Sequence, residues 1–386
     1  MIQNVIDFME QNRLLQVVFT ILVSFLVSKT SIPVIITISR LKNLMDIPGN
    51  RSSHDRKTPT LGGVAIFASI LIGYFITQGL WPSKEGGAII NLTIVAIVIL
   101  FFLGVKDDIL VLSPAKKMVL QVASSALVIV GSDLRIGNLF GIFGVYEINY
   151  WISIFLTIFI FIALINAMNL IDGIDGLAGG IGLIASIIFG IWFFLNKNFA
   201  LSFLSASLSG ALIGFLMFNF SKTKKIFMGD TGSLILGFML TIFAIKYINL
   251  NQEVDEAGKA LAYGSAPVIA VVVLIVPIFD TLRVFLVRIL NKKSPFEGDR
   301  NHLHHILVDL GFSHFKATTL LCFVTLCLAG SFMYFRKIFT NTQSLFILIG
   351  LFIIYLGICY LLKELIVKRG TLALSELSSE KVSTAN

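Results

Sequence analysis

Long apolar runs, each ended by a short polar loop, set the pattern of this chain. A helix needs about 20 apolar residues to cross the hydrocarbon of a bilayer. Eleven stretches approach that length: 14–38, 61–80, 88–105, 115–131, 151–168, 176–195, 200–219, 233–250, 265–290, 317–337 and 343–362. The run at 115–131 is short and reads as tilted or partly interfacial. Weak alternation with several glycines over 132–150 predicts a short hairpin in a loop. The fold class that follows is all-α: a polytopic membrane protein of about 11 transmembrane helices. Residues 1–369 read as one integral-membrane domain and 370–386 as a disordered polar tail.

Composition narrows the class further. The 386 residues are 56% hydrophobic and 13% charged, where a soluble domain carries roughly 25% charged residues. The net charge of +8 does not make this a nucleic-acid binder, because the basic residues lie in short loops between apolar segments. Cys322, Cys327 and Cys359 all fall inside apolar runs, where a thiol behaves as a small hydrophobe. Residues 1–13 lack the basic start of a signal peptide, so the first apolar run reads as a membrane helix.

Eleven spans place the termini on opposite faces, and loop charge orients them. Loops 39–60, 106–117, 169–175, 220–232, 291–316 and the tail after 362 hold 19 Lys and Arg; the alternate set holds 7. The positive-inside rule makes the first set cytoplasmic, with the N-terminus outside and the C-terminus in the cytoplasm.

That assignment gathers the chain's chemistry on one face. Four motifs meet there: Lys106-Asp107-Asp108; Asn166-x-x-Asn169-x-x-Asp172-Gly-x-Asp175-Gly; Phe227-Met-Gly-Asp230-Thr-Gly-Ser233; and Asp299-Arg300-Asn-His302-Leu-His304-His305. Converging ionised groups at a membrane boundary indicate a functional site. Acids and amides without clustered Cys suit a hard cation and phosphate.

Each motif also has a plainer reading. Asp107 and Asp108 repel unless a cation is near, or they are a solvated pair after a helix. Lys117, in the first turn of the next helix, runs against the helix dipole unless an anion binds nearby. Asn166, Asn169, Asp172 and Asp175 form a slowly rotating polar strip, offering oxygen ligands to Mg²⁺ or acceptors for hydroxyls; interhelical packing is the alternative. Asp230 is placed to bind a metal while helix amides hold a phosphate, or it sits in a cap supplied by Thr231 or Ser233. Arg300 and the histidines suit a diphosphate, or pack in a juxtamembrane helix. A transporter would place its charges near the midplane in repeated halves, and neither feature is seen.

With these motifs in this order, the chain resembles the polyprenyl-phosphate N-acetylhexosamine-1-phosphate transferases, of glycosyltransferase 4 type, over roughly residues 40–316. The resemblance implies an eleven-span enzyme of the bacterial cytoplasmic (inner) membrane with its active site on the cytoplasmic face. It implies transfer of a sugar-1-phosphate from a UDP-N-acetylhexosamine to undecaprenyl phosphate, releasing UMP. The products of such reactions start peptidoglycan, O-antigen or teichoic-acid cycles.

By the same resemblance Asp230 looks like the ligand of Mg²⁺, for which Mn²⁺ can substitute. Asp107 and Asp108 look like the catalytic pair. Asn166, Asn169, Asp172 and Asp175 look like nucleotide and sugar contacts, with Lys57 on the nucleotide side. Arg300, His302, His304 and His305 look like the diphosphate- or sugar-selecting cluster. The His302-Leu-His304-His305 run resembles the branch acting on UDP-N-acetylglucosamine and related 6-deoxy aminosugars. Relatives place a Pro soon after the position of Asn219; here Asn219–Lys225 has none, so no role is carried over to Asn219. A homodimer is compatible with the sequence.

Overall fold

The computed structural model describes residues 11–46, 57–83, 85–110, 112–251, 265–294 and 301–383, with backbone alone from 369. Its elements in chain order are α1 (Arg13–Leu41), β1 (Met45–Asp46), β2 (Thr58–Pro59), α2 (Gly62–Leu80), α3 (Gly87–Leu110), α4 (Pro114–Ser132), β3 (Asn138–Ile142), β4 (Val145–Glu147), α5 (Tyr150–Ile171), α6 (Leu177–Leu195), α7 (Phe199–Asn219), α8 (Gly229–Leu250), α9 (Ala266–Val273), α10 (Ile275–Leu290), α11 (Leu303–Asp309), α12 (His314–Phe335) and α13 (Asn341–Ser383). Ten of these helices are long and apolar enough to cross a membrane, and α9 with α10 supplies an eleventh stretch. All eleven expected segments are therefore helical, and the fold is all-α and polytopic. Helical backbone continues past residue 369 to Ser383, within the stretch expected to be a tail.

Lipid offers little drive for one apolar helix to leave it for another, so close packing and small residues decide who touches whom. In α1 the buried positions recur every four residues: Gln16, Thr20, Ser24, Ser28, Ile32 and Ile36. Leu22 and Leu26, between them, face outward. The Ser24–Ser28 strip meets Gly73 of α2 and Gly210 and Gly214 of α7, and Ser28 Oγ donates to the Ala211 carbonyl at 3.0 Å. Helices α7 and α8 form the buried centre, while α1, α12 and α13 turn most of their surface outward.

The segment expected as one span over 265–290 is broken. Helices α9 and α10 meet at Leu274 with a bend of 79°. Pro277 explains it: with no N–H, it cannot bond the Val273 carbonyl, so the helix restarts at Ile275. Beyond the bend α10 buries Asp280, Arg283 and Arg288 and exposes Leu282, Leu286 and Ile289. This inside-out pattern suits a helix whose outer face meets lipid.

Two short hairpins lie at opposite ends of the bundle. Strands β3 and β4 pair antiparallel across the loop from α4 to α5, as the alternation predicts. The Asn341 side chain at the start of α13 donates to Phe140 of β3 at 2.7 Å. At the other end β1 pairs with β2, Met45 opposite Pro59. The Pro59 carbonyl accepts from Phe227 N at 2.8 Å, and Gly62 N and Gly63 N donate to the Phe227 and Met228 carbonyls at 2.9 and 2.8 Å. A Cβ on Gly63 would strike Gly232, and one on Gly104 would strike Thr231. Bare glycines thus let α2 and α3 close on the start of α8, where Asp230 stands.

Candidate active site

The end of the bundle that gathers the C-termini of α3 and α5 with the N-termini of α8 and α12 holds a cavity of about 330 Å³. Of the residues expected from sequence, Asp108, Asn169, Asp172, Asp175, Asp230 and His305 line it. The motif loops therefore share one end of the molecule, as the span count requires.

Asp108 reaches from α3 to the start of α8. Its Oδ1 accepts from Asp230 N at 2.7 Å, and its Oδ2 accepts from Thr231 N at 3.1 Å and Thr231 Oγ1 at 2.6 Å. The free amides of this helix start are therefore capped by another helix, and neither Thr231 nor Ser233 is the cap. Asp230 is held from both sides. Asn169 Nδ2 donates to its Oδ1 at 2.8 Å and to Ser233 Oγ at 2.9 Å. Lys117 Nζ donates to its Oδ2 at 2.6 Å and also pairs with Asp107. Asp107 accepts from Leu112 N at 2.6 Å as well and is buried, outside the cavity lining. The Lys117 ammonium thus answers two carboxylates rather than a bound anion.

Asp172 differs from these. No hydrogen bond reaches its carboxylate among the described residues. Enclosure in the protein, then the charges of Asp230, Asp108 and Asp175, push its carboxyl well above the usual range. The cavity wall carries five carboxylates (Asp46, Asp108, Asp172, Asp175 and Asp230) and two imidazoles (His305 and His314). Among the described residues no Lys or Arg lines it, and no three His, Cys, Asp or Glu side chains close into a metal cage. Lys117 compensates the Asp107–Asp230 side alone. The cavity is strongly acidic and open, able to accept cations and groups that carry them.

Asp175 belongs to a second cluster. Its Oδ2 accepts from Lys225 Nζ at 2.7 Å and meets His314 Nδ1 at 2.9 Å. Burial alone would raise its carboxyl, but these two hydrogen bonds and their charges hold it below the usual range. Thr318 Oγ1, one turn beyond His314, donates to the Asp175 carbonyl at 2.7 Å. Asn219 completes the turn: it accepts from Gly176 N at 2.5 Å and donates to the Ile226 carbonyl at 2.8 Å. Gly176 has a φ of +78°, a backbone that an L side chain rarely adopts. Asn219 is therefore a bracket between two site loops, and it needs no following Pro.

The histidines sit on short helix α11. His302 Nδ1 lies 2.7 Å from Asp280 Oδ2, and Asp280 Oδ1 accepts from Leu303 N at 2.8 Å and Tyr355 Oη at 3.0 Å. Arg283, 3.5 Å from Asp280, also donates to the Asn301 carbonyl. His304 is buried against Gly173, with neither ring nitrogen hydrogen-bonded among the described residues. Burial, more than the nearby imidazoles, pushes its pKa down to about 3, so it is a neutral ring. His305 packs beside it, ring centres 4.2 Å apart, and is the member that reaches the cavity.

Several expected contacts are elsewhere. Asn166 Nδ2 donates to Gln121 Oε1 at 2.9 Å, tying α5 to α4 outside the cavity lining. Lys57 is exposed beside β2 and does not line the cavity. His302 and His304 lie behind His305 and are absent from the lining. Arg300 lies outside the described residues. Sequence reasoning missed Asp46, Lys225, His314 and Asp280; only Asp280 carried a usable signal, a carboxylate three residues from Arg283 inside an apolar run.

The chain as a whole is similar to known proteins. Residues 90–248 match the family model for glycosyl transferase family 4. The chain is 33% identical to a probable undecaprenyl-phosphate N-acetylglucosaminyl 1-phosphate transferase of Bacillus subtilis, over 79% of this chain and 81% of that protein. It is 32% identical to the decaprenyl-phosphate N-acetylglucosaminephosphotransferase of Mycolicibacterium smegmatis, over 71% of each. It is 28% identical to the undecaprenyl-phosphate alpha-N-acetylglucosaminyl 1-phosphate transferase of Salmonella typhi, over 81% and 80%. The protein is thus an enzyme and a transferase, and the chain belongs to the polyprenyl-phosphate N-acetylhexosamine-1-phosphate transferase family, of glycosyl transferase family 4 type.

Proposed function

We propose that this enzyme transfers N-acetylglucosamine-1-phosphate from UDP-N-acetylglucosamine to undecaprenyl phosphate on the cytoplasmic face of the bacterial inner membrane. The product starts a cell-surface polysaccharide. The observation that carries this reading is the acidic cavity at the end of the bundle, where Asp108, Asp172 and Asp230 converge. The relatives' shared chemistry supplies the reaction class.

An oxygen of the lipid phosphate attacks the sugar-bearing phosphorus of the donor. A new P–O bond forms, the bridging P–O bond of the diphosphate breaks, and UMP leaves with the bridging oxygen. The lipid phosphate is ionised near neutral pH, so the attack needs no dedicated base. Neither Asp107 nor Asp108 is required for that role, consistent with their engagement by Lys117 and by the α8 amides.

The donor set fits a hard cation. Asp172 is an enclosed carboxylate facing three others without a hydrogen-bonding partner of its own among the described residues. Mg²⁺ commonly takes one or two carboxylates plus substrate phosphates rather than a closed protein cage. Asp230 and Asp172 would hold it, with Asn169 fixing Asp230 and Asp108 fixing the helix start. Bound there, Mg²⁺ or Mn²⁺ would neutralise charge developing on the diphosphate.

The test is incorporation of label from UDP-N-acetylglucosamine into undecaprenyl phosphate by the purified protein, beside a panel of other UDP-N-acetylhexosamines. Labelled lipid and UMP in equal amounts support the reading. Faster transfer from another UDP-sugar would replace the donor, and no labelled lipid from any would remove the reaction.

A further inference from the structure

We infer that His314, at the start of α12, is a donor-contacting residue whose free ring edge takes an oxygen of the UDP-sugar diphosphate. The inference rests on the donor proposed above. His314 lies outside the stretch 90–248 matched to the family and outside the motifs that sequence reasoning singled out.

The geometry fixes one edge of the ring and leaves the other. His314 Nδ1 sits 2.9 Å from Asp175 Oδ2. The Asp175 backbone N–H points at the same nitrogen from 3.4 Å. The shorter contact to a charged acceptor is the stronger one, so Nδ1–H donates to the carboxylate. Only Nε2, on the far edge, remains for a ligand, and no described residue takes it. The ring lines the cavity and keeps part of its surface open, its side chain 19% exposed.

Charge says what that edge would meet. The cavity wall is rich in acidic groups and poor in basic ones: five carboxylates against two imidazoles, with no Lys or Arg among the described lining residues. Hydroxyl groups of a sugar can be served by the carboxylates, but a diphosphate cannot. Its oxygens need cations or N–H groups. His314 stands on a carboxylate of the wall that is already matched by a cation, since Lys225 occupies the same Asp175 oxygen at 2.7 Å. With the Asp175 carboxylate on one edge, the ring turns its other edge toward the place a phosphate oxygen would take. Asp175 then acts as a positioning residue. It aims His314 and anchors Lys225 instead of touching the donor through a free carboxylate.

Two experiments test this, after wild-type turnover has been established, so that failure of the donor assignment shows itself first. In the intact protein, diethylpyrocarbonate should modify His314 as read by mass spectrometry, and saturating UDP should slow that modification. A ring that never reacts, or reacts equally fast with UDP present, would overturn the inference without any substitution. The second experiment uses His314→Asn, whose amide can keep the tether to Asp175 while the far edge is lost. Loss of one charge-assisted hydrogen bond corresponds to about a 10- to 150-fold change. The KM for UDP-N-acetylglucosamine and the inhibition constant for UDP should rise together by such a factor, with the KM for undecaprenyl phosphate unchanged. His314→Gln, which extends an amide toward the former Nε2 position, should recover part of the donor KM. Unchanged UDP inhibition in a folded His314→Asn protein, or an effect confined to the lipid acceptor, would refute the contact.

Discussion

Asp280 and Asp172 are both carboxylates enclosed at the same end of the bundle, and their surroundings are opposite. Asp280 is 2% exposed and fully engaged, by His302 at 2.7 Å, Leu303 N at 2.8 Å and Tyr355 at 3.0 Å, with Arg283 alongside. Asp172 receives no hydrogen bond among the described residues and faces the charges of Asp230, Asp108 and Asp175. A buried charge that is paired and hydrogen-bonded fixes structure; one left among like charges is tolerated where something else will neutralise it. The first arrangement holds the His motif in place. The second makes room for a cation and the anion it carries.

Removing an acid should therefore have opposite consequences in the two places. Asp230→Asn or Asp172→Asn should lower lipid-linked transfer by about a thousandfold or more, several kcal/mol of transition-state stabilisation. The thermal midpoint of metal-free Asp172→Asn should stay level or rise, because a like-charge repulsion is relieved. A marked fall in its midpoint would show that this carboxylate is structural. Asp280→Ala should act the other way. Leaving Arg283 and the α11 start without their carboxylate should cost about 3–5 kcal/mol, read as a lower midpoint in detergent. Wild-type stability in Asp280→Ala would erase the contrast.

Most of the fold was legible because lipid imposes long apolar runs, and all eleven appear as helix. The break at Leu274 was not. Pro277 and Asp280 are embedded in a run whose overall apolarity hides them, so one straight span was expected. The site was legible where spacing carried chemistry: Asn169, Asp172, Asp175 and Asp230 reach the cavity together. The same spacing misled at Asn166. Each three-residue step turns about 60° around a helix, so when Asn169 faces the cavity Asn166 has rotated onto Gln121 of α4. Lys225 ends a short lysine-bearing loop and His314 opens α12, neither in a motif that names a partner, and only tertiary packing brings them to Asp175.

Smaller effects sharpen the comparison. Asn219→Ala would leave Gly176 N–H and the Ile226 carbonyl unpaired and should cost about 1–3 kcal/mol, measured as a lower midpoint. Both site loops would loosen, so the donor KM should rise as well. No change in either quantity would remove its bracketing role. The Asp175 carboxyl, held below its ordinary value by His314 and Lys225, contributes stability that is present above its unfolded pKa of about 3.9. That contribution is lost as pH falls from there through the lower folded pKa. Asp175→Asn should flatten stability against pH in that acidic window and leave the slope near neutrality alone; an unchanged acid slope would deny the pairing.

The most direct measurement is transfer of label from UDP-N-acetylglucosamine to undecaprenyl phosphate by protein treated with EDTA and then titrated with Mg²⁺. The account predicts that transfer disappears on chelation and returns with added Mg²⁺ in the wild type, but does not return in Asp230→Asn at any Mg²⁺ concentration. Transfer that persists in EDTA, or an Asp230→Asn protein restored to wild-type turnover, would contradict it.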